Sequence, residues 1–174
     1  MKFIPVILLT CWAILGCSTT PTNIGNGYTI THKINNTFQI PLVTIEYRDY
    51  QDVLKNMIKN IDNRLGDDEE KKEAALAIPK GGYIYVEIER ATLEAANTKW
   101  FEFVILKHGK NIYREKGKSK IPNTPSSNRR WWNVQLVPIE NVINDEITFY
   151  VIDNVLGGRD EFVIKSPNLQ RPDS

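Results

Sequence analysis

Two cysteines and two histidines are all that this 174-residue chain holds of the side chains best suited to soft and borderline metals. Cys11, Cys17, His32 and His108 show none of the paired spacings of a zinc site. An excess of one charge sign is missing too. The 22 Lys and Arg face 21 Asp and Glu, so no overall field draws in a polyanion. Long apolar runs are absent: the longest, Phe3 to Leu15, falls short of the ~20 residues a membrane-spanning helix needs. No Gly-x-Ser-x-Gly elbow occurs, and Ser126 and Ser127 sit in a Pro- and Asn-rich stretch, which leaves nucleophilic hydrolysis without a motif. No Asp-x-Asp-x-Asp-Gly loop is present for calcium. His32 and His108 have no carboxylate partner that the sequence predicts. What remains, with 41% apolar and 25% charged residues, suits one globular domain of modest core.

The amino terminus is the most specific passage. Met1-Lys2 gives a positive start, and Phe3 to Leu15 has the length and flanks of the apolar region of an export signal. The run closes on Ile14-Leu15-Gly16-Cys17-Ser18, which resembles the lipobox of bacterial lipoproteins: an aliphatic, a variable residue, a small residue, then Cys. That resemblance implies a signal peptide over 1–16, cleavage after Gly16, and palmitate-type diacylation of the Cys17 sulfur. A signal peptidase I substrate and a signal anchor are the other readings of such a leader. Ser18 lacks the Asp that retains lipoproteins in the inner membrane of enterobacteria, so the resemblance favours the outer membrane of a bacterial cell envelope. Residues 17–27, small and uncharged, read as a tether. Two acyl chains anchor far more stably than one. Without Lys2 the mature chain is neutral. With Cys11 removed and Cys17 on lipid, it has no free thiol and no internal disulfide.

Behind the tether, residues 28–168 read as one antiparallel β-sandwich, of immunoglobulin-like or C2-like kind, with a helical hairpin near residues 49–78 and a tail over 169–174. Thr29 to Ile34 and Phe38 to Tyr47 have strand character, with Pro41 marking a break or an edge. From Asp49, an N-cap residue, the pattern switches: Tyr50, Val53, Leu54, Met57, Ile58, Ile61 and Leu65 recur at helical spacing, and Gly66 supplies a stop. The sandwich is expected to cover this stripe. Asp67 to Glu70 opens a second helix, where acids suit the macrodipole, and Pro79 with Gly81-Gly82 ends it. Tyr83 to Glu89 then alternates with Ile84, Val86 and Ile88 inward. Trp100 to Lys107 is apolar on both faces, as in a central strand. His108 to Asn111 turns into Ile112 to Glu115. Trp131 to Pro138 alternates with Trp132, Val134 and Leu136 inward and Trp131 outward. Ile147 to Asp153 and Glu161 to Ile164 flank a second hairpin. Runs of short strands without recurring helices exclude a parallel α/β fold.

One segment departs from neutrality. From Lys107 to Arg130, eight cations face Glu115 alone, and the run ends at Trp131-Trp132. Lys110, Arg114, Lys116, Lys118, Lys120, Arg129, Arg130 and Trp131 are the candidate ligand-binding residues, because guanidinium groups engage phosphate or sulfate bidentately and an indole stacks on a sugar. A solvated loop between two strands explains the same charges. Nucleic acid is excluded as a partner for an exported, lipid-tethered chain; an anionic polysaccharide or another envelope protein fits better. The acids Asp67 to Glu70 are explained by helix capping. The strand acids Glu87, Glu89 and Glu102 fall on the solvent face, not in the buried pair a glycosidase requires. The sequence thus points to a non-catalytic binding or assembly module, without cofactor or metal, held to a membrane by its amino-terminal lipid. A structural subunit of an envelope or secretion machine is the alternative, and a small hydrolase the remaining one.

Overall fold

A computed structural model describes residues 22–23, 25–33, 42–125 and 129–167. The lipobox with Cys17, most of the expected tether, the Phe38–Pro41 stretch, Ser126–Ser127 and the C-terminal tail lie outside them. Nine strands and two α-helices run in the order β1 (Thr22–Asn23), β2 (Thr29–Lys33), β3 (Val43–Arg48), α1 (Tyr50–Asn63), α2 (Asp68–Ala77), β4 (Tyr83–Arg90), β5 (Phe101–Lys107), β6 (Lys110–Lys116), β7 (Trp131–Pro138), β8 (Glu146–Asp153) and β9 (Arg159–Lys165). They form a β-sandwich with a helical insert. One sheet has the order β1-β2-β9-β8-β5-β6, the other β3-β4-β7, and all pairings are antiparallel.

Alternation explains which faces meet. Ile84, Val86 and Ile88 of β4 are fully buried and pack in one cluster with Phe101, Phe103 and Ile105 of β5, Phe149 and Val151 of β8, and Phe162 and Ile164 of β9. Each such side chain contributes ~1.5–3 kcal/mol of hydrophobic stabilisation. In β5 the outward Val104 is buried as well, which fits a strand hydrogen-bonded on both sides, to β6 and β8. The His108-Gly109 turn of the β5–β6 hairpin has positive φ at both residues, 50° and 74°, the twist a two-residue hairpin requires.

The expected orientation of β7 is reversed. Its register sets Ile88 opposite Asn133, Ile84 opposite Val137 and Arg90 opposite Trp131, and Asn133 and Val137 are fully buried while Leu136 is exposed. Trp131 therefore shares the inward parity, and Trp132, Val134 and Leu136 face out beside Glu89, Glu87 and Tyr85. The cause is polar satisfaction. The Asn133 side-chain amide donates to the carbonyls of Ala96 (3.3 Å) and Lys120 (3.0 Å), so a buried asparagine is stable where an apolar residue seemed required.

The helical hairpin leaves β3 at Arg48 and returns at Tyr83, which stand opposite each other in the ladder. Asp49 caps α1, its carboxylate accepting from the Asp52 N–H at 2.9 Å; Asp67 does the same for α2 from the Glu70 N–H. Val53 and Ile61 of α1 are buried, yet neither belongs to the sandwich core. Met57 and Ile61 of α1 line an open groove with Ala74 and Ala77 of α2, and the Tyr50 hydroxyl donates to the Ala75 carbonyl. Within the hairpin α1 thus meets α2, and it also meets β3. The helix stop also differs. Leu65, at φ 60°, takes the left-handed position, and Gly66 is needed because a Cβ there would lie 2.2 Å from Glu70 Oε2 and 2.5 Å from Ile61 Cγ2.

The sandwich has two distinguishable ends. At one, β2 begins, β5 ends, β6 and β8 begin and β9 ends. β7 also ends and β4 begins there, together with the helical hairpin, because the Tyr28 hydroxyl reaches the Ile143 carbonyl and its ring meets Tyr47 at 4.9 Å. This is the amino-terminal end. At the far end stand Arg90, Phe101, Lys116, Trp131 and Asp153.

Candidate functional site

The cations between Lys107 and Arg130 are spread over a strand, a crossing segment and the entry to the next strand. β6 is the outer strand of its sheet and carries Lys110, Arg114 and Lys116, a placement of charge that blunts an open edge. Beyond it the chain crosses to the other sheet. The Gly117 N–H donates to the Phe101 carbonyl at 2.8 Å, the Thr98 hydroxyl donates to the Lys118 carbonyl, and the Asn123 N–H donates to the Trp132 carbonyl at 2.8 Å. Gly117 is required here, since a Cβ would sit 2.0 Å from the Thr98 carbonyl oxygen. Residues 117–123 thus lace the two sheets together along the β6–β7 side. Arg129, at φ 57°, bends the chain into β7.

Ion pairing divides the cations. Lys107 meets Asp145 at 3.2 Å and Arg114 meets Glu102 at 3.1 Å, while Lys120 Nζ donates to the Val134 carbonyl at 3.4 Å. Among the described residues, Lys110, Lys116, Lys118, Arg129 and Arg130 make no ion pair. Elsewhere most cations are neutralised, as in Lys33–Glu161, Arg48–Glu46, Lys71–Asp62, Lys99–Glu94 and Lys165–Glu146. Of Lys110, Lys116, Lys118, Arg129 and Arg130, the last four belong to the far end. Lys110 alone lies at the amino-terminal end. The expected neighbour of the arginines is replaced: Trp131 is half-buried with inward parity, and the outward indole is Trp132.

Two arrangements escaped sequence reasoning. Arg90 and Asp153 form an inter-sheet ion pair at 2.7 Å, their side chains only 6% and 11% exposed. Arg90 also donates to the carbonyls of Leu42 and Glu89 and lies 4.9 Å over the Phe101 ring. Burial pushes the Asp153 carboxyl up, but the Leu156 N–H, the Arg90 guanidinium and the Val155 N–H outweigh it and hold the pKa below the usual carboxylate range. The signal was present, because Arg90 continues the inward series of Ile84, Val86 and Ile88. Both histidines, too, have carboxylate neighbours. His32 lies 3.1 Å from Asp160 and stacks on Phe162 at 4.2 Å, and His108 lies 3.7 Å from Asp145. These contacts join β2 to β9, and the β5–β6 turn to the approach to β8, pairings that spacing does not reveal. No serine, threonine or cysteine is hydrogen-bonded to either histidine among the described residues, so neither pair forms a nucleophile–base couple. Among the described residues no three His, Cys, Asp or Glu side chains converge as a metal site requires, and no helix is long and apolar enough to cross a membrane.

Comparison with protein-family models, curated proteins and solved structures finds no match to this chain.

Proposed function

We propose that this chain is a bacterial envelope lipoprotein, anchored through Cys17, whose sandwich is a non-catalytic binding module for an anionic glycopolymer. The observation that carries the ligand class is the set of free cations at the far end. Lys116, Lys118, Arg129 and Arg130 stay unpaired in a molecule where acids neutralise most other cations. Ser18 favours the outer membrane. Trp132, on the outer face of the small sheet, is the ring available to a sugar near the arginines.

Two measurements test the reading. Labelled palmitate should enter the wild-type chain and not Cys17→Ser; incorporation by both would refute the anchor. The protein should bind dextran sulfate and not neutral dextran, with affinity falling as salt rises, because exposed charges are screened over ~8 Å at physiological ionic strength. Arg129→Ala with Arg130→Ala should weaken that binding and flatten its salt dependence. Binding indifferent to salt or to both substitutions would return the segment to a solvated loop.

A further inference from the structure

We infer that the β8–β9 turn at the far end of the sandwich inserts its aliphatic tip into the surface of an anionic lipid bilayer. The inference rests on the reading of the far-end cations as an anion site and deepens it: the anions they meet are borne on lipid. The turn, residues 154–158, joins Asp153 to Arg159. Val155 and Leu156 are 49% and 66% exposed, and a Cβ added at Gly157 or Gly158 would meet nothing within 4 Å. The turn thus projects clear of the fold with two aliphatic side chains in water. Leu93, 42% exposed, stands on the neighbouring loop, whose Thr92, Glu94 and Ala95 share a groove with Trp100, Asn154 and Val155. Exposed aliphatic side chains grouped on one end mark an interaction site.

The backbone of the turn suits an apolar medium. The Asn154 N–H donates to the Trp100 carbonyl at 3.0 Å, and the Val155 and Leu156 N–H groups donate to Asp153 Oδ1 at 2.8 and 2.9 Å. An unpaired donor is costly in lipid; these three enter it already satisfied. Charge completes the match. Arg159, opposite Ile152 at the base of the hairpin, is exposed, lies 5.0 Å over the Tyr150 ring and makes no ion pair among the described residues. Lys116, Lys118, Arg129 and Arg130 stand on the same end. The acids beside the turn are engaged: Asp153 by Arg90, Glu94 by Lys99 at 2.9 Å, and Asp160 by His32 at 3.1 Å.

A bilayer fits this tip better than a folded partner does. A specific protein interface buries about 800 Å² a side, far more than one short turn supplies. A bilayer takes an aliphatic tip without a matching pocket and attracts cations through its headgroups. The expected anchor is within reach of the same surface. Thr22 is level with Ile30 and, through it, with Ile164. Cys17 stands five residues before Thr22, and five residues reach at most ~18 Å. From Ile164 to Arg159, β9 covers five steps, or ~17 Å. Acyl chains on Cys17 and the turn can therefore enter one bilayer.

The test uses the full chain carrying Cys17→Ser, so that no acyl chain attaches it, with leucine and valine methyl groups labelled for NMR. It is mixed with nanodiscs of phosphatidylglycerol or of phosphatidylcholine, each holding a trace of nitroxide-labelled lipid. In phosphatidylglycerol the Val155 and Leu156 methyls should broaden, while those of Leu65 and Leu76, more exposed but on the helical hairpin, stay sharp. In phosphatidylcholine neither set should broaden. Val155→Ser with Leu156→Ser, at exposed positions that folding tolerates, should weaken phosphatidylglycerol binding at least tenfold and leave dextran sulfate binding unchanged. Arg159→Gln should weaken phosphatidylglycerol binding and flatten its salt dependence. Dextran sulfate bound without phosphatidylglycerol would keep the cation reading and overturn this inference. Phosphatidylglycerol bound with the tip methyls sharp, or with Leu65 and Leu76 broadened as much, would overturn it as well. Tip broadening in phosphatidylglycerol without dextran sulfate binding would uphold the insertion and overturn the polymer reading.

Discussion

The Arg90–Asp153 pair is the sharpest test of how the two sheets are held together. Its atoms are unequally satisfied. Asp153 Oδ1 accepts from the Val155 and Leu156 N–H groups at 2.8 and 2.9 Å, whereas Oδ2 has only Arg90, at 2.7 Å from Nη2 and 3.3 Å from Nε. Arg90→Met therefore leaves Oδ2 buried and unpartnered, while the Leu42 carbonyl keeps the Glu89 N–H and the turn stays capped. Breaking a buried pair from one side costs ~3–5 kcal/mol; with Oδ1 still satisfied, the lower end of that range applies. At ~2–4 °C per kcal/mol for a domain of this size, Tm should fall by roughly 6–12 °C. Asp153→Ala removes the pair and both turn hydrogen bonds, each worth ~0.5–1.5 kcal/mol, so it should cost more than Arg90→Met. The double variant Arg90→Met with Asp153→Leu removes both charges, and it should recover much of the loss because no buried charge is left alone.

The acid limb gives an independent check. A carboxyl whose folded pKa is depressed contributes stability that is fully present above its unfolded value of ~3.9 and is lost as pH falls through the lower folded value. Urea unfolding of the wild type should therefore show a loss of stability below about pH 4 that Asp153→Asn lacks. Arg90→Met leaves burial to push the Asp153 carboxyl up, so its deficit relative to the wild type should shrink as the pH falls and that carboxyl protonates. An Arg90→Met Tm unchanged within error, or single-variant costs that simply add in the double variant, would refute the coupling.

Gly82→Ala should prevent folding, because its φ is 78° and a Cβ would lie 2.1 Å from the Arg48 carbonyl oxygen; Gly109→Ala, at φ 74° with open space around it, should cost only ~1–2 kcal/mol. Circular dichroism of the two variants separates backbone conformation from close approach. Val53→Asp should unfold the helical hairpin, whereas Leu76→Asp, at a position 87% exposed, should leave the stability within ~0.5 kcal/mol of the wild type. Tyr47→Phe should cost ~1–3 kcal/mol, since its hydroxyl donates to the Gly81 carbonyl at 2.7 Å and leaves that buried acceptor unsatisfied when removed; chemical denaturation measures it.

Where local rules suffice, the sequence is legible. Period-2 alternation in β4, the Asp49 and Asp67 caps, and the two hairpins of the larger sheet are local properties, and each is found where expected. β7 is not legible because its inward face carries Asn133 and Gln135 while Trp132, Val134 and Leu136 face solvent. Hydrophobicity alone selects the wrong face there, and a one-residue change of parity turns over every side chain. The bonds that rescue Asn133 come from Ala96 and Lys120, well away along the chain, so no window around β7 contains the information. α1 fails differently. Its stripe is real, and periodicity identifies an apolar face without identifying its neighbour.

The candidate site follows the same division. The density of cations over residues 107–130 is visible in the sequence, yet which of them are free depends on Glu102 and Asp145, brought in by strand pairing. Pairing leaves Lys116, Lys118, Arg129 and Arg130 at the far end, where the Arg90–Asp153 pair ties the sheets. An apolar pocket lined by Ile105, Ile139, Ile143 and Ile147 occupies the other end. A rigid sandwich separates these surfaces by the length of its strands, eight residues or about 26 Å in β4 and β8.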